Sequence, residues 1–150
     1  ANGKGEVTVE DASFMLAEFD NGALGSFEAT RFAPGRKNYN AIEIYGGKGS
    51  LAFNLERMNE LRYFSVDDPA HAQGFRDILA TGAAHPCVGA WWPPGHIIGY
   101  EHTFVHAMAD FLRAIGAGQP VRPNFEDGVK EMRVLEAGLE SAAAGRRVAI

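Results

Sequence analysis

The stretch Tyr45-Gly46-Gly47-Lys48-Gly49-Ser50 separates two architectures. Glycines around a lysine, followed by a serine, suggest a loop that wraps a phosphate. A P-loop reads G-x-x-x-x-G-K-[S/T] and leads from a strand into a helix. The helix matters because its N-terminal amides and dipole face the anion. Here Gly46 and Gly49 flank Lys48, and no Gly-Lys-Ser or Gly-Lys-Thr follows. Before the turn, Ile42 and Ile44 alternate with Glu43 and Tyr45; after it, Leu51, Phe53 and Leu55 alternate with smaller or polar residues. A period of two on both sides of a short glycine-rich loop indicates a β-hairpin. The glycines are then expected to supply the positive φ that tight hairpin turns require.

Working outward, Ala12–Phe19 reads as a strand, Asp20-Asn21-Gly22 as a hairpin turn and Ala23–Phe32 as the returning strand. A loop with Pro34 and Gly35 follows. Beyond the central hairpin, Glu60–Val66 is a fifth strand and Gly74–Leu79 a weaker sixth. Thr81–His96 has no period and is rich in Gly and Pro, which marks a long ordered loop. The pattern then becomes helical: Phe104, Met108, Phe111 and Ile115 form one apolar stripe, ended by Gly116, Gly118 and Pro120. A second helix starts with Asn124 as N-cap, favoured by Glu126 and Asp127 at the positive end of its dipole. Val129, Met132, Leu135 and Leu139 are expected to line its buried face, Gly145 to end it, and Arg146–Ile150 to add a short edge strand.

Strands first and helices last predict an α+β fold: a large, mainly antiparallel open sheet with two helices packed on one face. The first strand carries Phe14 and Leu16 on one side and Met15 and Phe19 on the other. Helices on one side cannot bury both, so a further domain or subunit is expected over the second face.

Composition narrows the function. The length of 150 residues suits one domain. A net charge of −5, with scattered Lys and Arg, argues against nucleic acid as partner. No apolar run approaches the ~20 residues that span a bilayer, and no signal peptide is present, so no membrane partner is expected. The single Cys87 allows no internal disulfide, which makes the cytoplasm the expected compartment. The chain opens at Ala1 without an initiator methionine and enters a strand almost at once, as a fragment of a longer protein would.

Three groups of residues bear on chemistry. His102 and His106 lie four apart on the first helix behind Glu101, a spacing that can share a metal but lacks a third ligand and the H-E-x-x-H order. An ordinary polar helix face accounts for them better, and no metal site is expected. Asp68 and His71 are explained by a turn. Trp91 and Trp92, stiffened by Pro93 and Pro94, make a rigid aromatic wall on which the C–H faces of a sugar can pack, with His96 beside it to hydrogen-bond a hydroxyl or polarise a carbonyl. The same tryptophans can instead fill the space between helix and sheet. Arg36 and Lys37 can clamp an anionic or hydroxylated ligand, or form a solvated basic turn. No G-x-G-x-x-G follows a strand, and Gly22-Ala23-Leu24-Gly25 opens no helix, so no cofactor-binding residue is assigned.

Taken together, "VEDASFMLAEFDNGALGSFEATRFAPGRKN", "EIYGGKGSLAFNLERMNEL", "WWPPGHIIGYEHTFVHAMADFLRAI" and Asp127-Gly128 resemble the C-terminal domain of the Gfo/Idh/MocA oxidoreductases, a family that includes glucose–fructose oxidoreductase and inositol dehydrogenase. The resemblance covers essentially the whole chain. It implies a parent with an N-terminal Rossmann domain, NAD or NADP as cofactor, and hydride transfer at a carbinol of a sugar, cyclitol or related polyol. It also implies that residues 1–150 are one substrate-side and oligomerisation domain, in a homodimer or homotetramer formed through the open sheet face. The family's dinucleotide glycines, E-K-P lysine and D-x-x-x-H histidine match no position here; no catalytic residue is assigned, and the chain alone is expected to be inactive and to bind no cofactor. The competing readings are a free-standing carbohydrate-binding or assembly module, and a metal-dependent isomerase built on Glu101 and its neighbouring histidines, which fits poorly.

Overall fold

The structure, a computed structural model, describes residues 3–150. In chain order it contains the strands β1 (Ala12–Glu18), β2 (Leu24–Thr30), β3 (Ala41–Gly46), β4 (Gly49–Asn54), β5 (Glu60–Ser65) and β6 (Arg76–Leu79), then the helices α1 (Tyr100–Ala117) and α2 (Phe125–Ala144). Every strand pairing is antiparallel and the class is α+β. The strands hydrogen-bond as two sheets, β1-β2 and β3-β4-β5-β6. The break falls where the β2–β3 connection is a ten-residue loop with Pro34 and a left-handed Gly35 instead of a tight turn. The chain divides into two compact units, one made of its two ends up to Arg36 and from Arg122, the other of Lys37–Val121.

In the first unit, β1 and β2 pair from Ala12↔Thr30 to Glu18↔Leu24. Their turn works as the Asp-Asn-Gly signal predicts: Gly22 has φ +81°, and the Asn21 side chain accepts the Ala23 N–H at 3.0 Å. The rings of Phe19 and Phe27 lie tilted at 6.5 Å and close over Gly25, where a β-carbon would sit 3.0 Å from Phe19. Helix α2 begins with the reciprocal cap expected of Asn124, whose Oδ1 accepts from Glu126 and Asp127 while the Asp127 carboxylate accepts the Asn124 N–H. Gly138 of α2 stands against the Met15 sulfur, so Met15 and Ala17 are half-buried while Phe14 and Leu16 remain exposed.

The second unit is the four-stranded sheet with α1. Its central hairpin has the two-residue turn Gly47-Lys48, with Gly46 paired to Gly49. None of Gly46, Gly47 and Gly49 has a positive φ, contrary to the expectation from turn chemistry. Gly49 is needed for another reason: it pairs with Ser65 of β5, and a β-carbon there would collide with the Phe64 carbonyl. Close strand approach, not turn geometry, selects that glycine.

Two further expectations are corrected. Val129, Met132, Leu135 and Leu139 do not line a buried face of α2; all are more than half exposed, and the half-buried positions are Asp127, Gly128, Ala137, Gly138 and Ser141. In α1 the stripe Phe104, Met108, Phe111 and Ile115 is likewise exposed, whereas His102, His106 and Ala109 turn inward. Helical periodicity reports that an apolar face exists, not what it rests on. Arg146–Ile150 forms no strand: Gly145 closes α2 at φ +62°, after which Arg146 engages Glu140 and Arg147 engages Glu18, each at 2.8 Å.

Candidate functional site

The aperiodic segment ahead of α1 is an ordered loop whose ends meet. The Gly95 N–H donates to the Thr81 carbonyl at 3.1 Å, closing a fifteen-residue Ω-type excursion. Within it, Cys87 adopts a left-handed φ of +67°, a short 3-10 turn follows at Val88–Ala90, and the Val88 side chain is buried. Pro93-Pro94-Gly95-His96 then makes a β-turn, with Gly95 at φ +90° and the His96 N–H directed at the Pro93 carbonyl. Proline followed by a positive-φ glycine is the pattern of a type II turn.

This turn presents His96 in one orientation. The ring Nδ1 lies 3.0 Å from the Pro93 carbonyl oxygen, which can only accept, so Nδ1 carries the proton. The opposite nitrogen, Nε2, is then left to meet a ligand on an exposed side chain. Trp92, immediately before the turn begins, is half-exposed at 49%.

Trp91 behaves differently. Its indole N–H donates to His106 Nε2 of α1 at 2.6 Å. Its ring meets His102 edge-on, with centroids 4.3 Å apart and planes at 82°. His102 is buried and accepts the Gly99 N–H on Nδ1 at 3.1 Å, so it caps α1 from its third position. The Glu101 carboxylate is 3.4 Å from the same nitrogen. A ring nitrogen that accepts the Gly99 N–H holds no proton for Glu101, so this contact is not an ion pair in that tautomer. Trp91 thus packs against the helix, whereas Trp92 and His96 are exposed.

Asn59, immediately before β5, locks this assembly to the sheet. Its side-chain amide donates to the Ile98 carbonyl and accepts the Ile98 N–H, both at 2.8 Å. Its own carbonyl accepts from Ala80, just after β6. One residue thus ties β5, the end of β6 and the approach to α1.

The basic turn is built by the same rule as the histidine turn. In Ala33-Pro34-Gly35-Arg36, Gly35 has φ +98° and the Arg36 N–H donates to Ala33 at 3.0 Å. The Glu56 carboxylate accepts the Lys37 and Asn38 N–H groups at 2.8 and 3.2 Å, and the Asn54 side chain caps the backbone of Glu56 in turn. Arg36 belongs to the first unit; Lys37, Trp91, Trp92 and His96 belong to the second, and the closed loop brings the last three together. Of the supporting residues, Asn59 and Glu56 escape a reading of motifs, and His102 and His106, expected on an ordinary polar helix face, are instead buried and half-buried. A usable signal was the pair of i, i+4 histidines directly after an aromatic loop.

Among the described residues, no three His, Cys, Asp or Glu side chains are grouped to hold a metal ion. No described helix is long and apolar enough to cross a membrane. The Gly-Lys-Gly-Ser turn joins two strands and opens no helix, so it lacks the strand-turn-helix setting of a dinucleotide-binding turn.

Residues 1–150 match the family described as the C-terminal alpha/beta domain of the Gfo/Idh/MocA oxidoreductases. The levoglucosan dehydrogenase of Pseudarthrobacter phenanthrenivorans is 45% identical over 141 residues, 93% of this chain and 36% of that protein. Among solved structures, an oxidoreductase domain protein from Kribbella flavida superimposes with a TM-score of 0.91 at 51% identity, covering 95% of this chain and 37% of the other. A levoglucosan dehydrogenase complexed with NADH and levoglucosan gives a TM-score of 0.89 at 44% identity, over 95% and 39% of the two chains. The chain spans well under half the length of these relatives.

Proposed function

The chain belongs to the Gfo/Idh/MocA oxidoreductases as their C-terminal domain, and from that premise we propose that it forms the substrate-side wall of an NAD(P)-dependent enzyme that oxidises a carbinol of a sugar or related polyol. The observation that carries this reading is the closed loop Thr81–His96, which leaves Trp92 and His96 outward on a stiff backbone. The Trp92 ring offers an apolar face for sugar C–H groups, and His96 Nε2 offers a hydrogen-bond partner for a hydroxyl. Residues 1–150 act in this reading as one domain that orients the sugar. The dinucleotide and the groups that move protons and hydride lie on the remaining part of a longer protein. The exposed stripes of α1 and α2, and the exposed Phe14 and Leu16, are the surfaces on which that part and further subunits of a dimer or tetramer would be seated.

The test is a substrate panel. The full-length protein containing this chain is assayed for NAD+ and NADP+ reduction with levoglucosan, with aldoses and ketoses, and with inositols. Turnover of at least one sugar or cyclitol is expected, with levoglucosan tried first because of the 45% identical relative. Turnover confined to substrates without a sugar or polyol skeleton would reject the assignment.

A further inference from the structure

We infer that His106 is a positioning residue for the sugar-facing loop: by accepting the Trp91 indole N–H, it holds Trp92 and His96 in the orientation that receives substrate. This rests on the reading of Thr81–His96 as a substrate wall.

The argument starts from what anchors the loop. It contains no regular strand or long helix, and its own closing bonds, Gly95 to Thr81 and His96 to Pro93, are backbone bonds that shape it locally. They do not fix it against α1. The Asn59–Ile98 clamp grips the chain only after the loop has ended. Among the hydrogen bonds of the described residues, the one that joins a side chain of the loop to α1 is Trp91 Nε1–H to His106 Nε2, at 2.6 Å. An indole N–H is a donor only, so His106 must present a bare nitrogen to it. The edge contact of Trp91 with His102 adds area and sets the tilt of the indole. Trp92 follows directly in the chain, with its ring 6.5 Å from His102, and the Pro93-Pro94 backbone carries the orientation on to His96. A ring fixed at position 91 therefore fixes the direction in which residues 92–96 leave it.

A helix face with His102 and His106 turned inward is otherwise unexpected. An apolar stripe was available on the same helix, yet Phe104, Met108, Phe111 and Ile115 are exposed while the imidazoles face the loop. Leucine at position 106 would fill similar space but leave the half-buried indole N–H without an acceptor. A hydrogen bond of ordinary net strength corresponds to about a five- to tenfold change in an equilibrium constant.

The experiment uses the full-length oxidoreductase and compares native protein with His106→Leu, His106→Gln, Trp91→Phe, the Trp91→Phe/His106→Leu double variant and Trp92→Ala. His106→Leu and Trp91→Phe are each expected to raise KM for the sugar about five- to tenfold, with kcat within about twofold and KM for the dinucleotide unchanged. His106→Gln retains an acceptor and should recover most of the loss. The double variant should be no worse than the worse single one, since both remove the same bond. The 19F resonance of 5-fluorotryptophan at position 91, assigned by its loss in Trp91→Phe, should move in His106→Leu and return toward its native position in His106→Gln. An unchanged sugar KM in His106→Leu, with KM raised in Trp92→Ala, overturns the inference and leaves the substrate-wall reading standing. An unchanged KM in both overturns both. If His106→Leu does not fold, Trp91→Phe and His106→Gln decide: a sugar KM unchanged in Trp91→Phe, or a kcat and melting temperature that fall there together with no selective rise in sugar KM, would reduce His106 to a packing residue and sink the inference.

Discussion

Gly49 and Phe64 approach so closely across the β4–β5 ladder that a β-carbon on Gly49 would overlap the Phe64 carbonyl oxygen. The obstacle is backbone, which cannot rotate away as a side-chain tip can. Gly49→Ala is therefore expected to destabilise the chain by about 1–3 kcal/mol. Gly47, in the same turn, has open space around it and no positive φ, so Gly47→Ala should stay within about 0.5 kcal/mol of native. Urea unfolding of both variants checks the contrast, and equal midpoints would show that the ladder adjusts freely.

Asn59→Ala removes both hydrogen bonds to Ile98 and leaves a part-buried backbone N–H and C=O without their partners. At about 1 kcal/mol per bond, plus the cost of the stranded groups, a loss of about 2–4 kcal/mol is expected. Asn59→Asp should fall between, because its carboxylate still accepts the Ile98 N–H but repels the Ile98 carbonyl. Hydrogen exchange at Ile98 should accelerate in both. Unchanged protection there would mean that the approach to α1 is held by something other than Asn59.

Trp92→Ala and His96→Ala, made in the full-length enzyme, should damage sugar turnover more than folding. His96 is exposed, so the melting temperature of His96→Ala should stay within a few degrees of native, whereas Trp92 is half-exposed and Trp92→Ala should lower it moderately without unfolding the chain. Losing a stacking face or a hydroxyl partner should lower kcat/KM for the sugar by about ten- to a hundredfold. Lower melting temperatures with intact kinetic constants would assign both residues to packing.

The Tyr45 phenol is held above its ordinary pKa, chiefly by its hydrogen bond to the Glu43 carboxylate on the same strand, helped by desolvation and by the Glu43 charge and opposed by Arg62. The folded state thus prefers the protonated phenol. Its contribution to stability is fully present below the unfolded value of about 10 and is lost as pH rises through the higher folded value. Glu43→Gln should move the Tyr45 absorbance titration at 295 nm back toward 10. A midpoint insensitive to that change would remove Glu43 as the cause.

Residues 1–150 alone are expected to bind NADH and NADPH no more tightly than about 100 μM, roughly 5.5 kcal/mol on the affinity scale. The motivation is the hairpin setting of the Gly-Lys-Gly-Ser turn. Isothermal titration calorimetry decides it, and saturable binding below that value would place part of the dinucleotide site on this chain.

Local rules carried much of the fold. Alternation of apolar residues around Tyr45–Ser50, the Asn21-Gly22 turn, the Asn124 cap and the glycines at 118 and 145 each act within a few residues, so they can be read along the chain. The Pro-Gly turns that present Arg36 and His96 are equally local. Other features depended on residues far apart in sequence. The need for glycine at 49 comes from Phe64, the closure of the loop from Thr81 and Gly95, and the lock on α1 from Asn59 and Ile98, 39 positions apart. The different burial of Trp91 and Trp92 was also beyond the sequence, because adjacent tryptophans are chemically identical until a helix places His106 beside one of them. The exposed stripes of α1 and α2 mark the same boundary: periodicity determined that each helix has an apolar face, but only tertiary packing decided which face turns inward, since burial is a property of what surrounds a residue and not of the residue itself.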